Sequence, residues 1–234
     1  MVSFIISVDT TYEMADNFFE LFFSHKFVKQ SEIVVVVDGN YNLQIHHLLN
    51  KLQKEHLNLK VIYSSKIGYG KANNLGVKHS TGEYLFFINT DIFIEDGCFE
   101  KMLAVLNGGI ADCVQPLLIY PQSNLVQCAG TFFGPYFKDH LFDGNRIDAD
   151  IVNQDGPRQA LTSALYAMKR SVFDELNGFD EFYYNKLEGF ELSYKIYLSG
   201  KTCWYLSSAR AWHSRGGGRN LYSCLLYTSD AADE

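Results

Sequence analysis

The chain has 234 residues, 47% of them hydrophobic, 15% aromatic and 20% charged, with a net charge of −7. That length and apolar content allow one substantial core, and so few charges with only 4 prolines exclude a disordered chain. The acidic balance leaves no basic surface that would take nucleic acid or anionic lipid as its main partner. Met1 to Val8 lacks a basic n-region and a cleavage site, so its apolar run reads as a strand and not as a signal peptide. No stretch reaches the roughly 18 apolar residues of a membrane helix. Cys98, Cys113, Cys128 and Cys203 are widely spaced with no C-x-x-C pair, which reads as buried small hydrophobes in a reducing compartment.

In chain order, Val2–Val8 is a short apolar run and Tyr12–Phe27 has apolar residues at helical spacing. Glu32–Val37 is an almost pure β-branched run that ends in the turn signal Asp38-Gly39-Asn40, as suits a strand buried on both faces of a parallel sheet. Helix is expected over Tyr41–His56, strand over Leu59–Tyr63, helix over Gly70–His79, and a buried strand over Tyr84–Ile88 running into Asn89-Thr90-Asp91. This β-α-β-α-β-α-β order predicts a parallel sheet with right-handed crossovers. Asp96–Leu106 then reads as helix and Ala111–Tyr120 as an extended piece broken by Pro116. Residues 130–158 have no clear period and read as a long functional loop. Gln159–Met168 reads as strand, and Ser171-Val-Phe-Asp174 opens a short helix as a capping box, with Gly178 after its end. Glu188–Leu198 is a helix stopped by Gly200, and Thr202–Leu206 and Ala209–His213 are two short extended pieces.

Cys224-Leu-Leu-Tyr-Thr-Ser-Asp-Ala-Ala-Asp-Glu234 resembles the in-frame translation of a common sequencing adapter. The expectation is that residues 224–234 are an artefact and that the natural chain is cut near Ser223. Residues 1–223 then form a single domain, 1–95 binding the nucleotide part of a ligand and 96–223 facing an acceptor.

In an open α/β sheet, ligands bind beyond the carboxyl ends of the strands. Asp38 and Asp91 end two strands and would face one crevice. Asp91 is a hard oxygen ligand suited to Mg²⁺ or Mn²⁺ on a diphosphate. Asp38 reads equally as an acceptor for a base or ribose and as a turn cap. Between them, Gly68-Tyr-Gly-Lys71-Ala-Asn73-Asn74-Leu-Gly76 is neither a dinucleotide fingerprint nor a P-loop. It reads either as an ordinary strand-to-helix turn or as one bringing Lys71 to a nucleotide. Glu188 and Glu191 share one helix face at i, i+3. Trp204, Trp212, Phe132, Phe133, Tyr136 and Phe137 are either core or sugar-stacking aromatics.

The series Glu32–Asp38, Gly68–Gly76 and Thr81–Asp91 resembles glycosyltransferase family 2, its rhamnosyltransferase-like branch included. Thr162–Arg170, Asn177-Gly-Phe-Asp-Glu181, Glu188-Gly-Phe-Glu-Leu192 and Ala211-Trp-His213 continue the resemblance in order over roughly residues 2–216. It implies a GT-A-type α/β fold, a Rossmann-like and mostly parallel sheet flanked by helices. It also implies transfer of a sugar from a nucleoside diphosphate sugar to a saccharide or lipid-linked acceptor.

By position, the resemblance makes Asn89-Thr90-Asp91 the D-x-D-type motif, with Asp91 the principal ligand of Mg²⁺ or Mn²⁺ and His213 a further one. Asp38, Lys71, Asn74, Asn89 and Asp91 fall among the donor-binding residues. Gly189 departs from the family's E-D pair, whose Asp often serves as base. The base role therefore passes to Glu188 or Glu191, with Glu188 favoured and Glu191 orienting the acceptor or Lys195. A single base implies inversion. The setting implied is the cytoplasm, at the inner face of a membrane with peripheral association, during surface polysaccharide assembly. A non-catalytic nucleotide-sugar or saccharide-binding module and a nucleotidyltransferase are the alternatives.

Overall fold

A computed structural model describes residues 1–39, 42–134, 138–183 and 187–214. The first half alternates: β1 (Val2–Val8), α1 (Tyr12–Ser24), α2 (Lys26–Lys29), β2 (Glu32–Asp38), α3 (Leu43–Glu55), β3 (Leu59–Ser64), α4 (Tyr69–Lys78) and β4 (Tyr84–Ile88). Then come β5 (Ile92–Ile94), α5 (Cys98–Asn107), β6 (Cys113–Ile119), β7 (Val126–Cys128), β8 (Thr131–Phe133), β9 (Lys138–His140) and β10 (Gly156–Arg158). The described chain finishes with β11 (Leu165–Lys169), α6 (Arg170–Glu175), α7 (Glu188–Leu198) and β12 (Cys203–His213).

The main sheet runs β3-β2-β1-β4-β11-β6-β12-β10, with β5 on β12 and β7 on β6. Strands β3, β2, β1 and β4 are mutually parallel, as their β-α-β order demands. β11 lies antiparallel between β4 and β6, and β12 resumes parallel pairing with β6. Because side chains alternate across a strand, Phe4, Ile6, Val35, Val37, Phe86 and Ile88 face helices α1, α3 and α5. Ile5, Val34, Leu85 and Phe87 face α4, α6 and α7. Helices on both faces explain why Ile33–Val37 can be apolar without alternation.

Phe4 sits at the middle of the first layer, its ring 5.2 Å from Phe22, 5.2 Å from Phe86 and 4.8 Å from Phe99. Phe4→Ala is expected to cost about 3–5 kcal/mol, measurable as a lower midpoint in urea unfolding. The described cysteines are all buried and free, as their spacing predicts; burial pushes the Cys128 thiol up to about 11.

Several boundaries differ from the sequence reading. The helix expected over Tyr12–Phe27 breaks at His25, whose backbone is extended. The two pieces near the end are one strand, β12, with a register shift between Leu206 and Arg210. Asp155 holds that bulge by accepting from Ser207 N at 2.7 Å and Ser207 Oγ at 2.6 Å. Pro116 is tolerated inside β6 because it pairs at the edge of this bulge and lies past the last β11 partner.

Strand over Gln159–Met168 is corrected to β11 alone. Upstream of it, Leu161 N and Thr162 N donate to the side chains of Ser193 and Gln115, not to a neighbouring strand. The capping box at Ser171 is not formed, since α6 starts one residue earlier, directly from β11, and has no side-chain cap. The stretch 130–158 contains the β8–β9 hairpin and β10. Tyr136, Phe137 and the adapter-like tail 224–234 lie outside the described residues.

Candidate active site

The carboxyl ends of β2 and β4 carry Asp38 and the Asn89-Thr90-Asp91 triplet. Asp38 is buried, and its carboxylate accepts from Ile67 N at 2.7 Å and Gly68 N at 2.9 Å. Gly68 stands at φ +90°, a backbone region open to glycine, and starts α4. Asp38 thus clamps the β3–α4 loop, which is the turn-capping work its sequence context allowed. Lys71, in the first turn of α4, has no carboxylate within 4 Å among the described residues, whereas its neighbour Lys66 pairs with Asp9 at 3.1 Å.

Asp91 and His213 meet because β5, directly after Asp91, pairs antiparallel with the end of β12, placing His213 opposite Ile92. His213 Nε2 lies 3.2 Å from Asp91 Oδ1, with both side chains largely buried. The other ring nitrogen, Nδ1, is 2.5 Å from Gln127 Oε1. Gln127 Nε2 donates to the His213 carbonyl at 2.9 Å, which turns its oxygen toward the ring. An amide oxygen only accepts, so Nδ1 carries a proton, and Nε2 faces the Asp91 carboxylate. A divalent cation fits this donor set of one hard oxygen and one oriented imidazole.

Glu188 opens α7 and is 3% exposed. It connects to the Asp91 side through Tyr69 and Ser163. The Tyr69 hydroxyl donates to the Ser163 carbonyl at 2.9 Å, and Asn89 N donates to the Ala164 carbonyl next to it at 2.9 Å. Burial raises the Tyr69 phenol far above its ordinary range, and the charges of Glu188 and Asp91 push it the same way. It therefore stays a hydrogen-bond donor throughout the working pH range. The backbone of the first turn of α7 lies against Ser163, at Gly189.

The family model for glycosyl transferase family 2 matches residues 23–176. This chain belongs to that family. It is 26% identical over 157 residues to the O-antigen biosynthesis protein RfbC of Myxococcus xanthus, a match covering 64% of this chain and 12% of that protein. It is 27% identical over 140 residues to the putative glycosyltransferase EpsH of Bacillus subtilis (strain 168), covering 59% of this chain and 35% of that one. The chain thus spans a minority of the length of both relatives.

Among solved structures, GalNAc-T7 with UDP, GalNAc and Mn²⁺ superposes with a TM-score of 0.75 at 17% identity, over 91% of this chain and 43% of that one. The mannosyltransferase PcManGT from Pyrobaculum calidifontis, with GDP-Man and Mn²⁺, gives 0.71 at 13% identity over 96% of this chain and 59% of that one. These likenesses establish the GT-A fold, and the family makes the chain a glycosyltransferase.

Not every residue singled out in this glycosyltransferase stands at the crevice. Asn74 is spent on the Asn177–Glu181 turn: its amide nitrogen donates to the Phe179 carbonyl at 3.0 Å and its oxygen accepts from Phe179 N at 3.0 Å. Glu191 pairs with Lys195 at 3.2 Å, and Lys195 also donates to the Gly178 carbonyl at 3.3 Å. Glu191 thus meets Lys195 through Oε1, while its buried Oε2 has no hydrogen-bond partner among the described residues. Trp204 packs against the core, and Trp212 packs beside Leu117 and Tyr205. Phe133 lies 4.6 Å from Tyr194 of α7, the two rings tilted by 43°.

Gln127, Ser163 and Tyr69 escape the sequence reading. Gln127 falls in no motif, and Ser163 and Tyr69 lie inside the motifs Thr162–Arg170 and Gly68–Gly76 without a role of their own there. The one legible signal was Tyr69, placed between two glycines at a helix start.

Proposed function

We propose that this glycosyltransferase moves a sugar from a nucleoside diphosphate donor to a saccharide or lipid-linked acceptor, with a divalent cation at Asp91 and His213 and inversion at the anomeric carbon. The observation that carries the reading is the convergence of two ligand-type side chains, Asp91 Oδ1 and His213 Nε2, 3.2 Å apart, with the ring oriented by Gln127. A Mg²⁺ or Mn²⁺ ion bound there would neutralise charge on the departing diphosphate. The Mn²⁺ named with GalNAc-T7 and PcManGT supports the same reading. Among the described residues no group of three or more His, Cys, Asp or Glu is suited to a metal, so phosphate oxygens and water would complete the ligand set.

Lys71 supplies a positive charge for the diphosphate, and Asn89 and Asp38 line the donor side. Glu188 takes the proton from the acceptor hydroxyl as its oxygen attacks the anomeric carbon. One base and one displacement give inversion. Residues 1–95 hold the donor and the remainder, to 223, faces the acceptor. The O-antigen biosynthesis protein RfbC supports a setting in surface polysaccharide assembly, at the cytoplasmic face of a membrane where a lipid-linked acceptor would be met. Among the described residues no helix is long and apolar enough to cross a membrane.

The test is nucleoside diphosphate release from UDP- and GDP-sugars with simple glycoside acceptors, with and without Mn²⁺ or Mg²⁺, and NMR of the product's anomeric configuration. Cation-dependent release with an inverted product is expected. Donor binding without release from any acceptor, or pyrophosphate release from a nucleoside triphosphate, would overturn the reading.

Gln127 gives a separate prediction. Gln127→Leu leaves the ring tautomer of His213 unset, and Mn²⁺ binding in the presence of UDP is expected to weaken about 10- to 100-fold. Loss of the free-Mn²⁺ paramagnetic resonance signal on titration measures it.

A further inference from the structure

A Cβ placed on Gly189 would overlap both the Oγ and the Cβ of Ser163 and come within 3.2 Å of its Cα. Rotating the serine hydroxyl away relieves only the first of these contacts. The overlap with Cβ stays, because that atom is fixed to the backbone of the segment entering β11. At most one of residues 163 and 189 can therefore carry a side chain, and in this chain it is Ser163.

The place is not an arbitrary one. Ser163 is only partly buried. Its carbonyl takes the Tyr69 hydroxyl, its neighbour Ala164 takes Asn89 N, and its side chain lies against the turn that carries Glu188. The hydroxyl thus lies against the backbone of Gly189, next to Glu188 in the chain, on a segment that also takes the backbone N–H of Asn89.

We infer that Ser163 and Gly189 are an exchangeable pair, and that the Ser163 hydroxyl, reaching in from the strand side, is the polar group that positions the acceptor's attacking hydroxyl beside Glu188. This rests on the transfer reading given above. Ser163 is a positioning residue: it carries no charge to take the proton, but it accepts or donates one hydrogen bond at the place where the acceptor oxygen must be held.

The experiment is a swap. Gly189→Ser alone is expected to lower the melting temperature by about 5–10 °C through overpacking. Ser163→Gly with Gly189→Ser moves the hydroxyl from strand to helix; it should melt within about 2 °C of the parent and transfer within about threefold of its rate. Ser163→Ala keeps the packing and removes the hydroxyl. Its kcat/KM for a glycoside acceptor should fall about tenfold while Mn²⁺-UDP binding is unchanged.

Wild-type melting for Gly189→Ser would overturn the shared room, and wild-type acceptor kinetics for Ser163→Ala would overturn the positioning role. Absence of transfer by the parent protein is a different failure, that of the function proposed above. In that case the melting series still tests the pairing, and a Ser163→Ala variant with unchanged affinity for a glycoside by calorimetry overturns the positioning role.

Discussion

Asp91→Asn is expected to leave a folded protein whose cation-dependent nucleoside diphosphate release is lowered roughly a thousandfold. The substitution removes the charge that draws the cation. An asparagine amide at 91 can donate to His213 Nε2, satisfying in a neutral hydrogen bond the two groups that now face each other at 3.2 Å. The melting temperature should therefore hold or rise while Mn²⁺ affinity collapses. Steady-state release assays, Mn²⁺ titration and a melting curve on the same preparation separate these effects. Turnover within tenfold of the parent would remove Asp91 from the mechanism.

The second large effect is expected at Glu188. Glu188→Gln should lower kcat by about a hundred- to ten-thousandfold, the usual worth of a positioned general base, with donor KM and Mn²⁺ affinity little changed. The glutamine keeps the volume of a side chain that is 3% exposed, so packing alone does not account for such a loss. Glu191→Gln serves as the control. Its carboxylate pairs with Lys195, so its loss should act mainly on stability and change kcat less than tenfold. A larger kcat effect at Glu191 than at Glu188 would reverse the assignment of the base.

The sequence made the donor half of this fold readable because its strands are long apolar runs and its helices have caps and periods of their own. β1, β2 and β4 are such runs, and all three stand where the reading put them. β5 and β7 were not readable. Each is three residues long and exists through its partner, β12 or β6, so no local pattern announces it. The same holds for the site. Asp91 and His213 were legible as members of motifs, whereas Gln127 acts only through a contact 86 residues away in the chain. Asn74 was legible as a motif member, but not the turn 105 residues further on that its amide holds. Gly189 looked like a loss until Ser163 was seen to occupy its space.

The pairing of β5 with β12 also bears on when this protein becomes competent during synthesis. Strands β1 to β4 can assemble as soon as residues to 88 have left the ribosome, since each finds a partner among these four. Asp91 emerges just behind them, but its partner rides on the last described strand. On the reading proposed above, the nascent chain holds half of the ligand set until β12 docks, and Mn²⁺ uptake would follow the docking of β12 and not the assembly of β1 to β4.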